Sequence, residues 1–182
     1  MKTESTVKYV LRLALILLAI TAVVAALLAG VNSVTAPVIA QLNAQKTQEA
    51  IEAVLPGGGD SVDFTDASGL VSVLYKGEAG YAVQVAPAGF DGPITMMVGV
   101  DFDGNVLGIS IIKHTETAGL GAVAAATTSA GEAFRGGFVG QSGAVSVTKD
   151  GGQIDAITGA TITSRAVCAG VNAALDCVAG MG

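Results

Sequence analysis

Apolar and polar positions change their period twice along this chain, and each change marks a different kind of element. Leu13 to Val31 carries no charged residue and only one hydroxyl, Thr21. Read as a helix at about 1.5 Å per residue, it reaches about 28 Å, close to the thickness of a bilayer core. Apolar positions then thin to an incomplete stripe, Leu42, Ile51, Val54 and Leu55, in a stretch that opens at Pro37 and stops at Leu55-Pro56-Gly57-Gly58-Gly59. This predicts a second helix, either separate or extending the first outward as a stalk. Alternation follows: Leu70–Tyr75, Tyr81–Ala86, Ile94–Asp101 and Val106–Lys113 are rich in Val, Ile or aromatic residues and are separated by turn residues. They predict strands, with Asp101-Phe102-Asp103-Gly104-Asn105 as a hairpin turn. A helical stretch around Val123–Phe134, a short strand at Ala144–Thr148 and a helix after Thr163 complete the pattern. Strands in a run with helices at the ends make an α+β fold: a single N-terminal transmembrane helix, then an antiparallel sheet with flanking helices.

Charge orients the apolar span. Lys2, Lys8 and Arg12 precede it, opposed only by Glu4, and the next basic residue is Lys46. The positive-inside rule leaves residues 1–12 in the cytoplasm, 13–33 as the anchor in the cell (inner) membrane, 34–56 as a stalk or connecting helix, and 57–182 as an extracytoplasmic domain. A cleaved signal peptide is the competing reading. Its apolar core would be shorter, about 7–15 residues, and the candidate cleavage site Val34-Thr35-Ala36 is followed by Pro37.

Composition excludes several classes. The net charge is −6 with no basic patch, which argues against nucleic acid. Cys168 and Cys177 are nine apart on one predicted helix and point to opposite faces, so they cannot pair there or share a metal. With one His and no Cys cluster, neither a zinc nor an iron–sulfur site is expected. Gly119-Leu120-Gly121 mimics part of a dinucleotide loop, but no apolar strand leads directly into it and no acidic residue follows about 20 positions later.

The chemistry concentrates in two segments. The first is Asp155-Ala156-Ile157-Thr158-Gly159-Ala160-Thr161-Ile162-Thr163. Gly159 permits a positive φ and close approach of a bulky group, Ala160 is small, and Thr161 supplies a hydroxyl. Thr163 and Ser164 are good N-cap residues, and Ser164 opens the apolar run Ala166–Leu175. A phosphate on Thr161 would therefore lie near a helix N-terminus, where free N–H groups and the dipole favour an anion. The other reading is a polar turn that merely caps the helix. The second segment is His114-Thr115-Glu116-Thr117-Ala118-Gly119-Leu120-Gly121. Thr117 and the Gly119 and Gly121 amides are potential donors and Leu120 an apolar contact, while Glu116 and His114 can equally be solvated loop residues.

Both segments resemble signatures of the FMN-binding domain family. The Thr-Gly-Ala-Thr tetrad resembles its flavinylation motif, whose last Thr carries FMN through a phosphoester; that residue is Thr161. The resemblance carries Asp155, Thr158, Gly159, Ala160 and Thr163 into the same motif. The second segment is similar to His-x-Glu-Thr-Pro-Gly-Leu-Gly, with Ala118 where Pro is usual. It implies a loop beside the isoalloxazine, with Glu116, Thr117, Gly119 and Leu120 as cofactor-binding residues. No catalytic or metal-binding residue is implied.

The order of motifs behind one anchor resembles the G subunits of Rnf electron-transport complexes, which are ion-translocating ferredoxin:NAD oxidoreductases. The C subunits of sodium-translocating NADH:quinone oxidoreductase share the layout but are typically longer. The resemblance implies an electron-transfer subunit with covalent FMN and no complete activity alone. It also implies partner membrane and peripheral subunits and a flavin transferase that installs FMN from FAD with a divalent cation. A stand-alone anchored flavin reductase and a non-redox module with an accidental tetrad are the other readings. Ion translocation cannot reside in this chain alone, because its single span has no ionisable group.

Overall fold

The structure is a computed structural model that describes residues 2–181. The chain divides into two compact units, Met1–Gln45 and Lys46–Gly182. A single helix, α1 (Lys2–Val54), makes up the described part of the first unit and enters the second. From Val7 to Lys46 every side chain is exposed, and leucines and isoleucines lie on all sides of the helix. Polar groups inside it turn back on the helix: the Thr21 hydroxyl donates to the Leu17 and Leu18 carbonyls, and those of Ser33 and Thr35 to Gly30 and Val31. That arrangement suits a segment in lipid. Among the described residues it is the one helix long and apolar enough to cross a membrane, which points to a single-pass anchor. Pro37 does not begin a new helix but lies inside α1. Its φ is already near the helical value, so its cost is the missing N–H that would have bonded the Ser33 carbonyl.

The second unit is built on a five-stranded antiparallel meander of β1 (Asp60–Val62), β2 (Val71–Lys76), β3 (Gly80–Val85), β4 (Thr95–Asp101) and β5 (Val106–Lys113), in sequence order. Val83, Val98 and Ile109 fall in one register across its centre. They face the main core, with Leu74, Met96 and Val100. Helix α3 (Thr161–Ala179) covers that face through Val167, Val171 and Ala174. The opposite face carries Ala82 and Met97 and packs against Ala50, Ile51, Val54 and Leu55 at the end of α1. The α+β reading holds: a long N-terminal apolar helix, then an antiparallel sheet flanked by helices.

Three details differ from the pattern. The helix expected around Val123–Phe134 is broken into a 3-10 turn, Gly121–Ala125, and α2 (Ser129–Gly136), whose first turn is capped by Thr128. Ala144–Thr148 is not a strand. Val145 N–H donates to Asn172 Oδ1 (2.8 Å) and Asn172 Nδ2 donates back to the Val145 carbonyl (2.9 Å), so a side chain of α3 takes the place of a neighbouring strand. The three-residue β1 lies outside the expected strands; Val62 opposite Leu74 ties it to the sheet. Cys168 and Cys177 are free and buried, and burial pushes the Cys168 thiol up to about 11, as for a small core hydrophobe.

Candidate functional site

Residues 114–121 follow β5 as a largely exposed loop from which Glu116 and Gly121 turn inward. Glu116 is buried, and protein donors reach both of its oxygens. Oε1 accepts from the Phe90 N–H (2.8 Å) and the Asp91 N–H (3.2 Å), and Oε2 accepts a short hydrogen bond from the Thr163 hydroxyl. Burial pushes the Glu116 carboxyl up. The bonds from Thr163, Asp91 and Phe90, with the charge of His114, outweigh it and hold the group below its ordinary value. Thr115 ties the same loop by donating to the Asp91 carbonyl (2.7 Å). The Thr117 carbonyl accepts from Leu120 and Ala122, which starts the 3-10 turn. His114 Nδ1 is buried without a hydrogen-bond partner.

The 155–163 segment closes a turn against α3. Gly159 has φ +76, and a Cβ there would stand 3.0 Å from the Leu120 side chain, so both its backbone and the space above it call for glycine. Helix α3 begins at Thr161, at least three residues earlier than the Thr163/Ser164 caps predict, and its N-cap, Ala160, offers no side-chain bond. The two hydroxyls have other partners: Thr163 donates to Glu116, while Ser164 donates to the Ala160 carbonyl and accepts the Ile157 N–H. Thr161 is thus itself the first residue of a helix whose N-terminus no side chain caps. Its Oγ1 accepts a hydrogen bond from Lys149 Nζ at 3.2 Å. Lys149 lies in a short turn, Thr148–Asp150, and the adjacent Asp150 makes a two-pronged ion pair with Arg165 (2.7 and 2.6 Å), one helical turn beyond Thr161. The Arg165 guanidinium holds the Asp150 carboxyl below its usual range.

These groups surround a cavity of about 290 Å³ lined by Phe90, Glu116, Thr117, Leu120, Gly121, Lys149 and residues 159–163. Seven predicted residues meet there: Glu116, Thr117, Leu120, Gly159, Ala160, Thr161 and Thr163. Three do not: Gly119, Asp155 and Thr158 line a neighbouring cleft of about 460 Å³ with Phe134 and Ile154. Phe90 and Lys149 are additions from outside both motif segments, and Ile162 is one from within the first that its chemistry does not single out. An aromatic on a glycine-flanked turn, Gly89-Phe90-Asp91-Gly92, is a visible sign of one; nothing local points to Lys149.

The cavity lining is of two chemical kinds. Thr161, Lys149 and the uncapped helix start suit an anion. Leu120, Phe90 and Ile162, respectively 44%, 66% and 52% exposed, suit a flat apolar body. A phosphate ester of a planar heteroaromatic fits that distribution, and FMN is such a molecule.

Comparison with known proteins agrees. The FMN-binding domain family matches residues 89–176, which hold both motif segments, and the RnfG N-terminal region matches residues 1–54. The chain is 36% identical to the G subunit of the Na(+)-translocating ferredoxin:NAD(+) oxidoreductase complex of Acetobacterium woodii, over 96% of this chain and 94% of that one. It is 35% identical to the G subunit of the ion-translocating oxidoreductase complex of Methanosarcina acetivorans, over 94% and 95%. It is also 35% identical to the G subunit of the proton-translocating ferredoxin:NAD(+) oxidoreductase complex of Clostridium ljungdahlii, over 82% and 81%. An apolar N-terminal helix, an FMN-binding domain and near full-length similarity converge on one conclusion: the chain belongs to the RnfG family, the G subunits of ion-translocating oxidoreductase complexes.

Proposed function

We propose that this chain is a membrane-anchored electron-transfer subunit that carries FMN as a phosphoester on Thr161 and relays electrons between neighbouring subunits of an ion-translocating ferredoxin:NAD oxidoreductase. The observation that carries it is the setting of Thr161: a hydroxyl at the first position of α3, beside the Lys149 ammonium, on a cavity that Phe90, Leu120 and Ile162 also line. Bound there, the flavin supplies one- and two-electron redox chemistry. The residues that would hold it are Thr161 and Lys149 at the phosphate end, with Leu120 and Ile162 along its body. Attachment needs a flavin transferase: the Thr161 hydroxyl oxygen bonds to the flavin-side phosphorus of FAD, the pyrophosphate bond breaks, and AMP leaves with release of a proton.

Lys2, Lys8 and Arg12 favour a cytoplasmic N-terminus in the inner membrane, which puts the flavin domain outside. The anchor keeps it beside its partners and raises its effective concentration there. From Leu13 to Gln45 the chain has no charged residue, so the ion path belongs to other subunits.

Two experiments test this. Co-expression with a flavin transferase should give a fluorescent band on a denaturing gel and a peptide containing Thr161 heavier by FMN less one water. A colourless band under those conditions refutes covalent attachment. A cysteine at Gly58 should react with a membrane-impermeant thiol reagent in intact cells; labelling only after permeabilisation reverses the topology.

A further inference from the structure

Phe90 is a large aromatic left 66% exposed on the rim of the flavin cavity, in a turn that the protein fixes with unusual care. Its N–H and that of Asp91 both donate to Glu116, the Asp91 carbonyl accepts from Thr115, and the Gly89 N–H closes the turn on the Gly92 carbonyl at 2.8 Å. The other oxygen of Glu116 is bound by Thr163 on the first turn of α3. One buried carboxylate therefore joins the turn that carries Phe90 to the helix that carries Thr161. A Cβ at Gly89 or at Gly121 would run into the Glu116 carboxylate, so the chain is pared to glycine on both sides of it. A carboxylate offers about four acceptor sites, and protein donors already take three. Glu116 is built as an internal post, whereas the exposed Phe90 ring has no comparable packing to explain it.

We propose that Phe90 is a wall of the flavin site that shields the bound ring from water, and that Glu116 is its positioning residue, gripping the Phe90 turn rather than the flavin. The proposal rests on the flavin reading of the cavity. In the full-length, flavinylated chain, Phe90→Ala should keep its covalent flavin, because Phe90 contributes little to the core, but iodide should quench the native flavin fluorescence severalfold more strongly. Phe90→Leu, which restores apolar bulk, should lie between. Glu116→Gln should raise quenching as Phe90→Ala does, and should add little when combined with it. In unflavinylated Thr161→Ala protein the Phe90 and Asp91 amides should exchange slowly with solvent, and faster in Thr161→Ala/Glu116→Gln.

Unchanged quenching in Phe90→Ala, with flavin attached, overturns the wall. Fully additive effects of the two substitutions show that Glu116 acts on the flavin itself and overturn its positioning role. If Glu116→Gln does not fold, the Phe90 pair still decides the wall, and rapid exchange of both amides in Thr161→Ala alone overturns the post. Wild-type protein without any flavin after co-expression refutes the underlying reading of the site, and the proposal with it.

Discussion

The two motif segments line one cavity, yet one polar side chain from each, Thr161 and Glu116, is used in opposite ways. The 155–163 segment presents Thr161 to the cavity, where its hydroxyl accepts a hydrogen bond from the exposed end of Lys149. The 114–121 segment turns Glu116 into the protein, where amides and a hydroxyl engage both oxygens. On the proposed reading, a signature residue is recognisable for either of two reasons: it meets the ligand, or it fixes the wall that does. Substitution should separate the two sharply.

Thr161→Ala should give the largest functional effect and the smallest structural one: complete loss of covalent flavin on a denaturing gel, with the thermal unfolding of the unflavinylated protein unchanged. Glu116→Ala should do the reverse. It strands three donors and costs about 2–4 kcal/mol, read by denaturant unfolding of the colourless protein. If Glu116→Ala instead left stability intact and changed only the flavin spectrum, the contrast would collapse.

Acid gives an independent reading of the same post. Glu116 titrates below its ordinary value of 4.5 in the folded protein, so the folded state favours the ionised form. Its contribution is present above about pH 4.5 and is lost as pH falls through the lower folded value. Asp66 and Asp101 are depressed too and act with the same sign. Glu116→Gln should therefore flatten, without abolishing, the fall in stability below that pH, in a series of unfolding curves.

Gly159→Ala tests the turn between the two roles. A side chain at φ +76, with Leu120 at 3.0 Å, should cost about 1–2 kcal/mol while leaving Thr161 flavinylated. Smallest is Lys149→Gln. The lysine is exposed and screened by salt, so flavinylation at limiting transferase should slow only severalfold at low ionic strength, and less at high; a rate unchanged at every salt concentration would remove Lys149 from the site.

What can be read from the sequence is what depends on near neighbours. Alternation bounds Val106–Lys113 correctly, and the Asp101–Asn105 turn closes as its residues suggest, with Asp101 accepting the Asp103 and Asn105 amides. Pairings distant in sequence are not legible. Glu116 finds partners 26 and 47 positions away, and Val145 finds Asn172 27 positions on. Lys149 reaches Thr161 across 12 residues, in a turn that the Asp150–Arg165 pair brackets. No periodicity encodes such contacts, so Thr161 is visible at once while the cation beside it is not.

The position of Thr161 at the start of α3 has an evolutionary consequence. Buried residues recur along this 19-residue helix, from Thr163 through Val171 to Val178, on nearly every side. Deleting or inserting one residue after Thr161 would turn everything before it by about 100° relative to the packed remainder, swinging the hydroxyl away from Lys149 or forcing the core out of place. If Thr161 carries the flavin, the count of residues between Thr161 and the core should stay fixed among relatives even where side chains along α3 vary. Insertions and deletions should accumulate instead in the loops, such as Gly57–Gly59, where no packed helix keeps the register.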